Sequence, residues 1–200
     1  MRNKYTFLND LKVSLKDERI RVRLGYKVKT GEVNSSVNQY LEEFKSLLPD
    51  LIKPKAVYAV LDYKETNKHP VFKGAEKTAL CLCTIGPELE KKCSRLMDRG
   101  DILKGYVLDC LGSEAVEDSA RQSDRIIAER ARDLDLWPSK RFSPGYGIWD
   151  IKEQKYVFDM LPSDKLGVRL TDTFMMIPRK SVSYRINFYK NKDSSTRSLP

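Results

Sequence analysis

Histidine and cysteine, the side chains that most often build metal centres, are scarce in this sequence. Its 200 residues contain one histidine, His69, and four cysteines, without a Cys-x-x-Cys pair or a histidine pair to complete a zinc site. Cys81 and Cys83 would share one face of a strand, whereas Cys93 and Cys110 are isolated. These features argue against a zinc finger, a metal-dependent hydrolase and a Ser-His-Asp site. They predict reduced thiols that are buried as small apolar side chains.

Long apolar runs are also absent. No stretch approaches the roughly 18 apolar residues of a membrane-spanning helix, and the first residues lack the apolar core of a signal peptide. We therefore expect a soluble, cytoplasmic protein without a membrane partner. Hydrophobic residues make up 40% of the chain, which is enough to bury one core, so the sequence predicts a single folded domain.

Basic residues are in excess but form no long cluster. Lysine and arginine number 37 against 28 acidic residues, which gives a formal net charge of +9. Such an excess suggests an acidic partner, such as nucleic acid or an acidic protein surface. The basic residues are interleaved with acids, and the longest uninterrupted basic runs are pairs such as Lys91-Lys92. This pattern favours a solvated basic surface over a nucleic-acid interface.

Two helices are predicted in the N-terminal part. A capping box and a following glycine predict a short helix over residues 15–24, although apolar alternation from Ile20 to Val28 also permits a strand. A second helix is predicted to be capped by Ser35 or Ser36 and to be kinked or ended at Pro49. Its apolar stripe consists of Val37, Leu41, Phe44 and Leu48.

The rest of the chain mixes strands and helices. The predicted strands are 56–63, 78–85, 173–178 and 181–189. A helix opens at Gly86-Pro87, a long helix runs from Asp101 to about residue 135, and a short one covers 162–166. The very polar stretch 117–125 directs one face of the long helix towards solvent or a ligand.

Strands and helices do not alternate strictly. We therefore predict an α+β fold, with a mostly antiparallel twisted sheet packed against long helices. The predicted domain spans residues 1–200, with an N-terminal helical segment over 1–55, a core over 56–189 and a flexible tail over 190–200.

Two stretches carry functional information. The first is the turn-rich loop Arg141-Phe-Ser-Pro-Gly-Tyr-Gly147, and the second is Gly167-Val-Arg-Leu-Thr-Asp-Thr-Phe-Met-Met-Ile-Pro-Arg-Lys-Ser-Val-Ser183. In this order and spacing they resemble the activation domain of cobalamin-dependent methionine synthase. That family has an Arg-Pro-Ala-Pro-Gly-Tyr-type loop, followed by a Gly-x-x-Leu-Thr-x-Ser-x-x-Met-x-Pro-x-x-Ser-x-Ser-type segment. The resemblance reaches back more weakly to about Thr84, which is roughly half the chain.

The resemblance implies S-adenosylmethionine (AdoMet) as the ligand. A guanidinium holds a carboxylate in bidentate geometry, so Arg141 at the head of the loop is the predicted partner of the AdoMet carboxylate. Glu117 aligns with the family's AdoMet-contacting glutamate and would bind the ammonium group. Cobalamin would be carried by the partner protein.

The remaining loop residues are also predicted to contribute to this site. Pro144 and Gly145 allow a close backbone approach to adenine. By resemblance, Ser143 matches a small residue whose backbone contacts the ligand, and Tyr146 matches a tyrosine that faces the corrinoid. Phe142 belongs to the same predicted loop site.

The second segment leaves two alternatives open. Met175 and Met176 are predicted to belong to the core, with one of them facing outward if the segment is a strand. Ser181 and Ser183 share a strand face, where ordinary polar positions and ligand contacts are equally compatible with the pattern.

The implied function is that of an accessory module. The chain lacks the methyltransferase, homocysteine-binding and corrinoid-binding regions of the full-length enzyme, so the resemblance implies reactivation in trans of a separate methionine synthase. A flavodoxin-type protein would donate the electron. Such a module positions AdoMet and needs no catalytic acid, base or metal of its own. A Rossmann-type methyltransferase is disfavoured because no glycine-rich loop follows a strand. The alternatives are a nucleic-acid-binding domain and a partner of another corrinoid protein that has lost AdoMet binding.

Overall fold

A five-stranded antiparallel sheet lies at the centre of the computed structural model, which describes residues 4–27, 34–66 and 69–196. Its strands are β1 (Thr6–Leu8), β2 (Lys55–Asp62), β3 (Lys77–Thr84), β4 (Trp137–Pro138) and β7 (Ser181–Tyr189). They lie in the order β1-β2-β3-β7-β4. A separate two-stranded hairpin pairs β5 (Arg169–Leu170) with β6 (Met176–Ile177). The predicted α+β class and antiparallel sheet are confirmed.

The helices of the described residues pack mainly on one face of this sheet. They are α1 (Asp17–Arg23), α2 (Ser35–Leu51), α3 (Glu88–Asp98), α4 (Ile102–Arg132), α5 (Gln154–Met160) and α6 (Lys192–Thr196). The 31-residue helix α4 contacts α2, α3, β3 and β7. Of these helices in the described part of the chain, none has the length and apolar character needed to cross a bilayer.

The central strand β3 is buried on both faces, as predicted. Residues Thr78 to Thr84 are all buried, and successive side chains point to opposite faces of the sheet. Cys81 belongs to the core formed with the helices, whereas Leu80 and Leu82 belong to a second core on the opposite face. Trp149 lies at the centre of this second core and is fully buried.

The N-terminal part follows the helical alternative. Residues 17–23 form the helix α1, in which Ile20 is fully buried. The strand alternative for this segment is therefore wrong. Val28, the last residue of that alternative, lies outside the described residues. The predicted serine cap of α2 is also wrong, because Asn34 Oδ1 accepts the hydrogen bond from the Ser36 backbone N–H at 2.9 Å. Pro49 lies in the last turn of α2, and the helix ends two residues later, at Leu51.

Three features differ from the sequence prediction in the C-terminal half. The predicted strand 173–178 is reduced to β6, because residues 171–175 form a turn in which Phe174 has a φ of +61°. The helix α5 was not predicted. Within the tail predicted to be flexible, residues 192–196 form α6, and residues 197–200 lie outside the described residues.

Candidate functional site

The loop that contains the first motif is attached to the sheet next to β4. Phe142 exchanges two backbone hydrogen bonds with Arg185 of β7, at 3.0 and 2.8 Å. The chain then turns back on itself: the Gly145 N–H donates to the Trp149 carbonyl at 2.7 Å, and the Trp149 N–H donates to the Tyr146 carbonyl at 3.0 Å. Because Trp149 is fully buried, it anchors this turn to the second core.

Gly145 is required by the shape of the turn. Its φ is +91°, a conformation that L side chains rarely adopt. A Cβ atom at this position would also lie 3.2 Å from Ile151 Cδ1. The backbone conformation and the short distance to Ile151 both favour glycine at this position. Without a side chain at residue 145, the loop can pass close to Ile151.

Phe142 serves the packing of this loop. Its ring stacks on Trp149 at a centroid distance of 6.4 Å. The guanidinium of Arg185, on β7, lies 5.1 Å from the centroid of the Phe142 ring. Phe142 therefore ties the loop to the sheet, and it does not line the cleft described below. Its predicted role as a ligand contact stays a prediction.

Glu117 and Arg141 form an ion pair between α4 and the loop. Arg141 Nη2 donates to Glu117 Oε2 at 2.5 Å, and both side chains are mostly buried. Arg141 also lies over the Tyr184 ring, with Cζ 5.8 Å from the centroid. Burial alone would lower the pKa of Arg141, but the hydrogen bond and charge of Glu117 raise it overall. Arg141 Nη1 is buried without a hydrogen-bond partner among the described residues.

The ion pair borders an open cleft of about 380 Å³ between α4, the loop, α5, the β5–β6 hairpin and the start of β7. Four of the predicted site residues line it, namely Glu117, Ser143, Pro144 and Tyr146. The cleft lining also includes residues that were not assigned to the site: Ile151, Gln154, Phe174, Met175, Met176, Arg179, Ser181, Val182 and Ser183. The second motif contained most of these residues, but α5 gave no sequence signal for Gln154.

Gln154 connects two walls of the cleft. Its buried amide accepts a hydrogen bond from Ser183 Oγ at 3.2 Å and donates one to the Phe174 carbonyl at 2.9 Å. The Thr171 N–H closes the same turn by donating to the Met175 carbonyl at 2.9 Å. Gln154 therefore joins β7 to the positive-φ turn of the hairpin.

The cleft lining combines two kinds of side chain. Glu117, Gln154 and Arg179 supply charged and amide groups, whereas Tyr146, Phe174 and Met175 supply aromatic and thioether surface. Tyr146 and Met175 are 67% and 53% exposed, so they stand at the mouth of the cleft. Such a cleft fits a ligand with a zwitterionic end and a flat aromatic end.

A second, larger groove lies on the other side of the β5–β6 hairpin. It measures about 540 Å³ and is lined mainly by apolar residues, including Phe158, Leu170 and Pro178. None of the predicted site residues lines it. The smaller cleft is the better candidate because it combines predicted site residues with opposite charges.

The scarce metal-ligating residues do not assemble in the structure. All four cysteines are buried, as predicted, and none of them forms a disulfide in this structure. His69 Nδ1 accepts a hydrogen bond from the Val71 N–H at 3.2 Å. Within residues 4–27, 34–66 and 69–196, no three His, Cys, Asp or Glu side chains group together as a candidate metal site.

Comparisons with known proteins identify the family and the fold of this chain. A search of curated proteins finds no match. A crystal structure of the MetH reactivation domain bound to AdoHcy is similar to this chain, with a TM-score of 0.62 and 17% sequence identity. The similarity covers 90% of this chain and 71% of that chain, and at this identity it shows the fold. Residues 76–195, more than half of the chain, match the family described as "Vitamin B12 dependent methionine synthase, activation domain". The chain therefore belongs to the family of activation domains of vitamin B12-dependent methionine synthase.

Proposed function

We propose that this protein binds AdoMet in the cleft bordered by Glu117 and presents its methyl group to the cobalamin of a separate methionine synthase. One observation carries the proposal: Glu117 and three residues of the Arg141–Gly147 loop, distant in sequence, line one cleft that has both charged and aromatic side chains. The similar reactivation domain binds AdoHcy, the form that AdoMet takes after it has lost its methyl group.

The groups of the cleft match those of AdoMet. Glu117 would bind the ammonium group, and its carboxylate is already oriented by the hydrogen bond from Arg141. Arg141 itself lies behind Glu117, and its buried, unpartnered Nη1 is available to a ligand group that reaches it. The aromatic side chains of Tyr146 and Phe174, which line the same cleft, would take the adenosyl part.

The protein contributes positioning. When bound, AdoMet supplies the methyl group for reductive methylation of cob(II)alamin, while a flavodoxin-type protein supplies the electron. Reduced cobalt is itself a strong nucleophile, so the module has only to hold the donor in line. The exposed Tyr146 stands at the mouth of the cleft, on the side from which a corrinoid would approach. The net charge of +9 would favour encounter with an acidic partner protein.

Ligand binding is the first test. We expect AdoMet or AdoHcy at about 100 times its dissociation constant to stabilise the protein by about 2.7 kcal/mol, which is roughly a 5–11 °C rise in melting temperature for this size. Glu117→Gln should abolish this rise because it removes the charge that binds the ammonium group. Lys91→Ala, on the exposed face of α3, is the control that should retain it. The absence of a rise at millimolar ligand would contradict AdoMet binding.

Reactivation in trans is the second test. A methionine synthase without its own activation domain is loaded with cob(II)alamin and mixed with this protein, AdoMet and a flavodoxin-type reductant. We expect the cob(II)alamin absorption to disappear and turnover to return only when all components are present. If AdoMet binds but no corrinoid substrate is methylated, the trans function is wrong. Salt-dependent binding to DNA or RNA would instead favour the nucleic-acid alternative.

A further inference from the structure

Arg185 is a cation buried in the middle of strand β7. It is only 2% exposed, and its neighbour across the sheet, Leu80, belongs to the second core, so the guanidinium lies on that face. Burial lowers its pKa to about 10, and no acid among the described residues pairs with it. A charge that is buried without an opposite charge opposes folding. The value of Arg185 at this position therefore lies in something other than the stability of the sheet.

The contacts of Arg185 join it to the start of the loop. Its Cζ lies 5.1 Å from the centroid of the Phe142 ring, within the range of a cation–π contact. Its Nη1 donates to Ser139 Oγ at 3.2 Å. The backbones of Phe142 and Arg185 also exchange two hydrogen bonds, at 3.0 and 2.8 Å. The guanidinium thus contacts the chain at both ends of the segment 139–142, through which the loop leaves the sheet.

The Ser139 hydroxyl makes these contacts specific. Its Oγ also accepts from the Asn187 N–H at 3.0 Å and donates to the Lys140 carbonyl at 2.8 Å. With two hydrogen bonds accepted and one donated, the hydroxyl is saturated. A guanidinium is directional as well, because its N–H groups need an acceptor and its flat face stacks on a ring. An apolar side chain of similar length would pack against several positions of the loop, whereas Arg185 specifies one.

A second pair of the same kind lies on the opposite face of β7. Arg141 Cζ lies 5.8 Å from the centroid of the Tyr184 ring, and Tyr184 belongs to the core formed with the helices. Because successive strand residues point to opposite faces, residues 141 and 142 hold β7 from both sides. The two cations differ in one respect. Arg141 is neutralised by Glu117, whereas in the described part of the chain Arg185 has an aromatic ring in place of an acid.

We infer that Arg185 is a positioning residue, whose guanidinium fixes Phe142 and thereby the one arrangement of the loop in which its residues line the cleft. Three residues that follow Phe142 in the loop line the cleft, namely Ser143, Pro144 and Tyr146. Arg185 itself does not line it, so it acts on a ligand through the loop. The inference rests on the proposed function for the identity of that ligand, AdoMet, whereas the effect on the loop is independent of it.

The test uses a change that keeps the length of the side chain and removes its charge. Arg185→Met should weaken AdoMet binding, measured by calorimetry, by about three- to tenfold, as expected for a desolvated cation–π contact. The free energy of urea unfolding should stay equal or increase, because the variant no longer buries an unpaired charge. Arg185→Lys keeps a cation beside the ring and should recover part of the affinity. Opposite responses of affinity and stability would not arise from a residue that only supports the sheet.

A double-mutant cycle with Phe142→Leu identifies the contact. Phe142→Leu leaves the cation without its ring, so it should weaken AdoMet binding and also lower stability. In combination with Arg185→Met it should cost little further affinity, because the contact is already lost. Arg169→Met, at an exposed arginine of β5 that lines the other groove, is the control that should change neither affinity nor stability.

Hydrogen exchange tests the loop itself. The amides of residues 143 and 145–147 should exchange faster in Arg185→Met than in the wild type, whereas those of β3 should not. If AdoMet binds the wild type but Arg185→Met changes neither affinity nor loop exchange, or loses affinity only in proportion to a loss of stability, the inference is wrong. If the wild type does not bind AdoMet, the proposed function fails, and loop exchange alone decides the role of Arg185.

Discussion

Arg141 Nη2 lies 2.5 Å from Glu117 Oε2, although 24 residues separate the two in the chain. The contact joins the long helix α4 to the loop that borders the candidate AdoMet cleft. Since both side chains are mostly buried, the pair is shielded from solvent more than an ordinary surface ion pair. It therefore links the stability of the loop to the orientation of the Glu117 carboxylate, which lines the cleft.

The first prediction concerns the strength of this pair. In a double-mutant cycle with Glu117→Ala and Arg141→Ala, we expect a coupling free energy of about 1 kcal/mol or more from urea unfolding. The matched control is the exposed pair Lys155–Asp159, whose coupling should stay below about 0.5 kcal/mol. Equal couplings for the two pairs would show that the cleft pair is merely a surface contact.

The second prediction compares two glycines with the same backbone conformation. Gly145 has a φ of +91° and Gly100 a φ of +88°. At either position, backbone strain alone should make an alanine variant less stable to unfolding by about 1–2 kcal/mol. A Cβ at Gly145 would also lie 3.2 Å from Ile151 Cδ1, whereas a Cβ at Gly100 would meet nothing within 4 Å. Urea unfolding should show a larger loss for Gly145→Ala, and this variant alone should weaken AdoMet binding. Identical losses with unchanged affinity would mean that the loop tolerates the contact.

Local patterns predicted the regular elements of this fold well. The apolar stripe of α2, with Val37, Leu41 and Phe44, is buried, and the apolar run of β3 is buried on both faces. These elements follow from side-chain periodicity, which a single sequence displays directly. The resemblance in turn predicted a site from Glu117 and six loop residues, and the structure brings Glu117 and three of these loop residues to one cleft.

The parts that escaped prediction depend on contacts between distant residues. Gln154 belongs to a short helix without a strong apolar period, and its importance appears only when it meets Ser183 and Phe174 across the cleft. Phe174 has a positive φ, which is uncommon for a bulky residue. The strand propensity of the segment 173–178 therefore predicted extended backbone where the structure has a turn. Likewise, sequence alone could not show that Arg141 lies behind Glu117 while Arg179 faces the cleft.

The third prediction tests Gln154 as the connection between the two cleft walls. Gln154→Glu keeps the oxygen that accepts from Ser183, but the ionised carboxylate cannot donate to the Phe174 carbonyl. Gln154→Leu removes both hydrogen bonds. We expect stability losses of about 1–3 kcal/mol, larger than those of the control Lys155→Ala on the exposed face of α5.

Hydrogen exchange distinguishes a local effect of Gln154 from general destabilisation. Amides of residues 171–176 should exchange faster in both Gln154 variants, because the turn has lost its connection to β7. Amides of the central strand β3 should change only in proportion to the loss of global stability. Unchanged exchange at the turn would refute the role assigned to Gln154.

The fourth prediction is a pH dependence that arises from the buried thiols. Burial raises the pKa of Cys81 to about 12 and that of Cys93 to about 12, whereas a thiol in the unfolded chain ionises near pH 8.5. The native state keeps these protons at a pH where the unfolded state has lost them. The thiol contribution to stability is therefore complete below about pH 8.5 and is lost as the pH rises towards about 12. Each thiol contributes a slope of up to about 1.4 kcal/mol per pH unit.

Removal of one thiol isolates its share of this slope. The free energy of urea unfolding is measured between about pH 8 and about pH 10.5 for the wild type and for Cys81→Ala. The other titrating groups are common to both proteins, so the difference between the two curves reports Cys81. We expect Cys81→Ala to be less stable throughout because of the cavity it leaves, but to lose stability less steeply above pH 8.5 or so. Parallel curves would mean that water reaches Cys81 in the native state and that its thiol ionises as it does in the unfolded chain.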